Sequence, residues 1–103
     1  MEIRTGIIGA GIAGIATAIR LALMGHSVTV FEKNAYPGGK IAEHENQGYR
    51  FDMGPSLFTM PHFVDELFIL AGKDPGNYLE YDKLEILCKY HYEDGTIINA
   101  YQN

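Results

Sequence analysis

The stretch GIIGAGIAGIATA, residues 6–18, restricts what this chain can fold into more than any other part of the sequence. Its glycines Gly9, Gly11 and Gly14 have the spacing G-x-G-x-x-G. Between a strand and a helix, the first glycine permits a tight turn and the second lets a pyrophosphate approach the backbone. The third lets the helix pack closely on the strand. By itself, the spacing does not distinguish a nucleotide site from a tight turn.

The residues on both sides of the glycines provide the missing context. Apolar periodicity predicts a strand over residues 2–8, a helix from Ile12 to about Met24 that ends at Gly25, and a second strand over residues 27–32. A helical crossover between two strands makes them parallel neighbours. Residues 2–32 are therefore predicted to form one β-α-β unit.

The second strand closes with an acid, Glu32, which follows Gly14 by eighteen residues. A carboxylate there accepts hydrogen bonds from ribose hydroxyls and repels a 2′-phosphate. The helix directs its N-terminal amides, including those of Ile12 and Ala13, and its positive dipole end toward the phosphates. These features favour a dinucleotide site, with Lys33 beside the acid. They suit NAD and FAD alike, because both cofactors contain an ADP half.

Beyond the acid, the chain alternates turns with short periodic segments. The string KNAYPGGK predicts a turn, and residues 41–53 predict two short strands joined around Asn46, Gln47 and Gly48. A second helix is expected from Pro61 to Gly72. The pair Asp94-Gly95 predicts a two-residue turn in a second hairpin. The fold class is α/β, a Rossmann-like β-α-β unit followed by β-hairpins and a second helix.

Composition excludes several other functions. Eight Lys and Arg residues against thirteen Asp and Glu give a net charge of -5 without a basic run, so no nucleic-acid partner is expected. The N-terminal apolar stretch is short and broken by glycines, which argues against a secretory signal or a membrane span. Cys88 is the single cysteine. We expect it to be a buried, inert thiol in a reducing, cytoplasmic compartment. No metal site is expected, because the histidines lack ligand spacing: His26, His44, His62 and His91.

A second glycine pair, Gly38 and Gly39, follows the acid and precedes Lys40. At this point the chain resembles the flavin-containing amine oxidase and phytoene desaturase superfamily, whose pattern runs from the glycine fingerprint through an acid to Gly-Gly-Arg/Lys. The string GYRFDMGPSLFTMP, residues 48–61, resembles the carotenoid desaturase branch more specifically.

That resemblance implies FAD as the cofactor, lying extended across the fold, with Gly54, Pro55, Ser56 and Leu57 approaching the flavin. It implies hydride removal from a carbon of a carotenoid-like lipid to the flavin, and it identifies no catalytic residue. The candidate cofactor-binding residues are Gly9, Gly11, Ile12, Ala13, Gly14, Glu32, Lys33, Gly38, Gly39, Lys40, Gly54, Pro55, Ser56 and Leu57.

Family members are several times longer, with an inserted substrate domain and a returning cofactor-binding segment. The chain is thus expected to be an N-terminal segment, inactive alone. Residues 1–60 would belong to the FAD-binding domain, and residues 61–103 would begin the substrate domain. The resemblance also allows peripheral membrane association through parts of the protein outside these residues.

Alternatives remain open. One is another flavoprotein, resembling an amine oxidase, a protoporphyrinogen oxidase or a retinol saturase. Another is a non-enzymatic binding protein resembling Rab escort and dissociation-inhibitor proteins. The string FDMGPSLFTMP favours the polyene branch, and the intact glycines with Glu32 favour a retained nucleotide. We expect Asp65 and Glu66 to be solvated acids rather than general bases. Five tyrosines are expected to pack a sheet face rather than line a polyene path: Tyr78, Tyr81, Tyr90, Tyr92 and Tyr101.

Overall fold

The computed structural model describes residues 1–102 and confirms the α/β fold. It contains two α-helices, one short 3-10 helix and six strands arranged as three separate pairs. In chain order these elements are β1 (Arg4–Ile8), α1 (Ile12–Leu23), β2 (Ser27–Phe31), β3 (Glu43–Asn46), β4 (Tyr49–Asp52), α2 (Pro61–Leu70), the 3-10 helix (Pro75–Asn77), β5 (Ile86–His91) and β6 (Ile97–Tyr101).

The β-α-β unit forms as predicted. Strands β1 and β2 are parallel, with Arg4 opposite Ser27 and Ile8 opposite Phe31. Helix α1 begins at the predicted residue and ends one residue early, where Gly25 adopts a φ of 90°. A left-handed glycine at that position ends a helix without strain, because glycine has no Cβ.

The first hairpin, β3–β4, is also confirmed. Its strands are antiparallel, and Asn46 pairs with Tyr49, so Gln47 and Gly48 form a two-residue turn. Both turn residues have positive φ, 51° and 83°. This is the backbone of a type I′ turn, whose twist matches that of the flanking strands. Within residues 1–102, Gln47 is the only non-glycine residue with positive φ.

Helix α2 has the predicted boundaries, with Pro61 at its start and Gly72, at a φ of 69°, just beyond its end. It packs beside α1, where Arg20 and Glu66 form an exposed ion pair at 3.3 Å. Leu67 is the buried apolar residue of this helix. An open apolar cleft of about 490 Å³ separates the two helices, and its lining includes Ile15, Ile19, Val64 and Phe68.

The turn of the second hairpin differs from the prediction. The Tyr92 N–H donates to the Thr96 carbonyl at 3.0 Å, and the Gly95 N–H donates to the Tyr92 carbonyl at 3.0 Å. Three residues, not two, therefore connect the strands. Gly95 adopts a φ of 85° after the turn, and the Asp94 carboxylate accepts from the Thr96 N–H at 2.9 Å. That arrangement is a type I turn followed by a left-handed residue, which the dipeptide alone does not distinguish.

Two expectations about side-chain surroundings are wrong. Cys88 is exposed on β5, because only one other strand pairs with that strand and no helix covers it within residues 1–102. Tyr78 and Tyr81 do not lie on strands. Tyr78 stacks on Phe68 with a centroid distance of 5.1 Å, and Tyr81 meets the edge of Phe58 at 5.4 Å. The remaining three tyrosines are exposed in or beside the second hairpin: Tyr90, Tyr92 and Tyr101.

Asp65 also departs from the expectation of a freely solvated acid. Its Oδ2 accepts a hydrogen bond from the Tyr81 hydroxyl at 2.6 Å. This bond raises the pKa of Tyr81 above its ordinary value, because the hydroxyl proton is held by the carboxylate. Asp65 thus ties the segment after the 3-10 helix to α2.

Candidate functional site

The glycine turn between β1 and α1 is closed from both ends. Gly9 adopts a φ of 100°, and its N–H donates to the Phe31 carbonyl at 2.7 Å, so the turn is attached to the end of β2. A Cβ on Gly14 would lie 2.0 Å from the Gly9 carbonyl oxygen. No side chain fits there. The close packing predicted for the third glycine is therefore present.

The N-terminus of α1 presents backbone amides at this turn. Gly11 caps the helix, and the first helical bond runs from the Ile15 N–H to the Gly11 carbonyl at 2.9 Å. The amides of Ile12, Ala13 and Gly14 precede that bond, and a helix leaves such groups for a ligand or water. The first turn contains no acid that would compete for the positive dipole end. This end of the helix is suited to an anion such as a phosphate.

Glu32 lies directly beside the glycine turn. Its Oε2 accepts from the Ala10 N–H at 2.7 Å, and its Oε1 accepts from the Asn34 N–H at 3.1 Å. The Asn34 bond, and then the Ala10 bond, lower the pKa of Glu32 because both favour the charged carboxylate. The neighbouring Lys33 lowers that pKa further. Each carboxylate oxygen retains capacity for another donor, such as a ribose hydroxyl.

The second glycine pair meets the first glycine turn. The Gly38 N–H donates to the Ala10 carbonyl at 2.7 Å, and Gly11 and Gly38 form an isolated parallel bridge. A Cβ on Gly39 would lie 3.1 Å from the Gly11 Cα. The structure therefore brings together Gly9, Gly11, Gly14, Glu32, Gly38 and Gly39.

The GPSL segment is divided between two places. Gly54 packs on the Lys40 backbone, since a Cβ there would lie 1.9 Å from the Lys40 carbonyl oxygen. Pro55 and Ser56 follow as exposed, irregular chain. Leu57 lines a different cleft, of about 520 Å³, together with Phe58 and Tyr81. Only the first residue of this segment therefore touches the glycine loops through a recorded contact.

Three backbone groups of the site were not singled out from the sequence: the N–H and C=O of Ala10 and the N–H of Asn34. Ala10 is 7% exposed and connects the acid on one side to Gly38 on the other. Its position inside the G-x-G pattern is the signal that could have identified it. Asn34 has no such signal, because the bond depends on where the chain turns after β2.

The chemistry available here is that of binding and orientation. Backbone amides, bare glycine Cα atoms and one ionised carboxylate fit the diphosphate and ribose of an ADP group. Within the described part of the chain, no group of three His, Cys, Asp or Glu side chains is placed to hold a metal. No helix among residues 1–102 is both long and apolar enough to cross a membrane.

Comparison with known proteins agrees with this geometry. Residues 7–68 match the family of NAD(P)-binding Rossmann-like domains. Over 94 residues the chain is 53% identical to the 1-hydroxycarotenoid 3,4-desaturase of Flavobacterium sp. (strain P99-3). Over 96 residues it is 40% identical to the 4,4'-diaponeurosporene oxygenase of Staphylococcus aureus. These alignments cover 91% and 93% of this chain but 19% of each relative, so the chain spans about a fifth of their length. The resemblance to carotenoid desaturases is confirmed.

Proposed function

Because the chain belongs to the family of NAD(P)-binding Rossmann-like domains, we propose that it binds the ADP half of FAD within a carotenoid desaturase-like oxidoreductase. The observation that carries the proposal is the joined pair of glycine loops with Glu32 beside them. The Ala10 backbone bonds both Glu32 and Gly38, so one residue links the acid to the second loop.

In this proposal, each part of the site has one task. The amides of Ile12, Ala13 and Gly14 bind the phosphates, and Gly11 lets them approach the backbone. Glu32 accepts hydrogen bonds from the ribose hydroxyls while the Ala10 and Asn34 amides keep it ionised and oriented.

The choice of FAD is supported by the loop that follows the acid. Gly38 and Gly39 pack directly on the glycine turn and extend the glycine surface beyond the part that an ADP group needs. Lys40 and Gly54 continue that surface, and Pro55, Ser56 and Leu57 are proposed to reach the flavin. When bound, the flavin accepts the hydride that is removed from the lipid. The residues here supply binding, orientation and exclusion of water.

The substrate we propose is a carotenoid-like polyene, the class that the names of both relatives describe for those proteins. We further propose that residues 1–60 belong to the cofactor domain and that residues 61–103 begin the substrate domain. The change in architecture near α2 supports that division, because the glycine loops end at Gly54 and aromatic contacts begin at Phe58.

Ligand titration tests the cofactor proposal. Calorimetry of the protein with ADP, FAD, FMN and adenosine 2′,5′-bisphosphate separates the parts of the cofactor. ADP should bind and compete with FAD, whereas FMN should not compete. Adenosine 2′,5′-bisphosphate should bind at least about tenfold more weakly than ADP, because its 2′-phosphate meets the Glu32 carboxylate.

Equal affinity for both adenosine ligands would refute the assigned role of Glu32. Absence of both ADP and FAD binding would favour a sequestering binding protein over an enzyme. Incubating the flavin-loaded protein with candidate polyenes and recording their absorption spectra tests the substrate class, since each new conjugated double bond shifts absorption to longer wavelength.

A further inference from the structure

We propose that Gly54 is a positioning residue for the nucleotide site: its bare Cα seats the β3–β4 hairpin on the Lys40 carbonyl and so holds the second glycine pair against the first. This inference rests on the proposed nucleotide site. It assigns Gly54 a steric role that acts through other residues, separate from any approach to the flavin.

Three close backbone contacts connect the hairpin to the start of α1. Gly54 packs on Lys40, Gly39 packs on Gly11, and Gly14 packs on Gly9. A Cβ would lie 1.9 Å from the Lys40 oxygen in the first contact, 3.1 Å from the Gly11 Cα in the second and 2.0 Å from the Gly9 oxygen in the third. Because Gly39 precedes Lys40 directly, the first two contacts share one short piece of backbone.

The requirement for glycine at position 54 is steric. Unlike Gly38 and Gly39, Gly54 does not have a positive φ, so any residue could adopt its backbone conformation. A Cβ, however, rarely comes within about 3.0 Å of a carbonyl oxygen, so an alanine would force the two backbones apart by roughly 1 Å.

Hydrogen bonds hold the backbone on both sides of this contact. The Met53 N–H donates to the Ala42 carbonyl at 2.8 Å, and the Gly38 N–H donates to the Ala10 carbonyl at 2.7 Å. Pro55 stiffens the chain just after Gly54. Displacement of Lys40 would therefore move Gly39 away from Gly11, at the point where the phosphates are proposed to bind.

The test compares Gly54→Ala with Gly76→Ala. Gly76 also lacks a positive φ, but its added Cβ would meet only the Asp74 side chain, at 3.3 Å. Calorimetry with ADP is carried out at a temperature where circular dichroism shows each variant folded, and amide hydrogen exchange is measured at Gly38. Gly54→Ala should weaken ADP binding about tenfold or more and accelerate exchange at Gly38. Gly76→Ala should change neither.

A role limited to stability would lower the melting temperature of Gly54→Ala and leave the ADP affinity of the folded protein unchanged. Wild-type ADP affinity, or faster exchange at Met53 without a change at Gly38, would overturn the inference. Failure of the unmodified protein to bind ADP would instead refute the proposed function. The exchange rate at Gly38 would then still decide whether Gly54 positions the loop.

If Gly54→Ala does not fold, Met53→Pro replaces it in the test. This variant removes the amide that bonds Ala42 and leaves the contact between Gly54 and Lys40 without added bulk. It should accelerate exchange at Gly38 and weaken ADP binding about threefold. Unchanged exchange at Gly38 in this variant would contradict the proposed connection.

Discussion

The glycines of residues 9–54 and those of residues 72–95 differ in what they contact. In the first region, a Cβ on Gly14, Gly38 or Gly54 would come within 2.7 Å of a backbone carbonyl oxygen. In the second region, Gly72 and Gly95 have nothing within 4 Å of such a Cβ, and both have positive φ.

The difference shows that one residue type meets two physical requirements in this chain. Around the candidate site, glycine is required because backbones approach too closely for a side chain. In the second region, glycine is required only to adopt a left-handed turn at low cost. The first requirement concerns contact between distant segments, and the second is local.

Gly14→Ala should have the largest effect on stability. The new methyl group would meet the Gly9 carbonyl oxygen at 2.0 Å, so α1 and the glycine turn must separate. We expect the free energy of unfolding to fall by about 3 kcal/mol or more, measured by urea denaturation. Gly6→Ala is the matched control, because its Cβ would make only an ordinary contact with the Phe31 ring, at 3.4 Å. A loss no larger than that of the control would contradict the steric account of the first region.

Glu32→Ala should have the next effect, on ligand affinity rather than on folding. Removing the carboxylate takes away the proposed ribose acceptor and frees the Ala10 amide. ADP binding should weaken roughly tenfold or more, measured by calorimetry. The control is Glu80→Ala, because Glu80 is an exposed acid in the second region. Equal ADP affinities for the two variants would remove Glu32 from the site.

The same carboxylate predicts a pH dependence. Its folded-state pKa is lowered by the bonds from Asn34 and Ala10, so its contribution to stability is present above the unfolded-state value of about 4.5 and is lost as the pH falls through the lower folded-state value. The Ala10 amide proton resonance should therefore shift with a midpoint below 4.5. A midpoint at or above the ordinary glutamate range would show that the two bonds do not persist in solution.

Gly95→Ala tests the second region and should have a smaller effect. Space is open around its Cα, so the cost is that of a left-handed backbone, about 1 kcal/mol in the free energy of unfolding. Gly95→Asn should cost less, because asparagine tolerates this conformation. Thermal denaturation of both variants measures the difference. Equal losses in the two variants would indicate a steric requirement at this position as well.

Gln47→Asn should have the smallest effect, and in the favourable direction. Gln47 already occupies a left-handed position in a two-residue turn, and asparagine followed by glycine is the preferred pair for that turn. We expect a gain of about 0.5 kcal/mol, measured by thermal denaturation with unchanged ADP affinity. A loss of stability would mean that the glutamine side chain makes a contact that offsets the backbone cost.

Much of the fold follows from short patterns in the chain. The β-α-β unit, the start of α1 at Ile12, and Pro61 at the start of α2 were all predictable, because periodicity and cap residues act within a few positions. The second hairpin shows where such patterns end. Asp94-Gly95 indicated a turn correctly but not its length, which the Tyr92–Thr96 hydrogen bond sets.

By itself, the sequence determined which residues can form the candidate site: the glycines, the acid at the end of β2 and the helix N-terminus between them. Tertiary structure alone decided how they meet. The bond from Ala10 to Glu32 spans 22 positions, and the contact of Gly54 with Lys40 depends on how the intervening hairpin returns the chain. The physical reason is range: backbone preferences are set by neighbouring residues, whereas a carboxylate or a bare Cα finds its partner only after packing has brought distant backbone within reach.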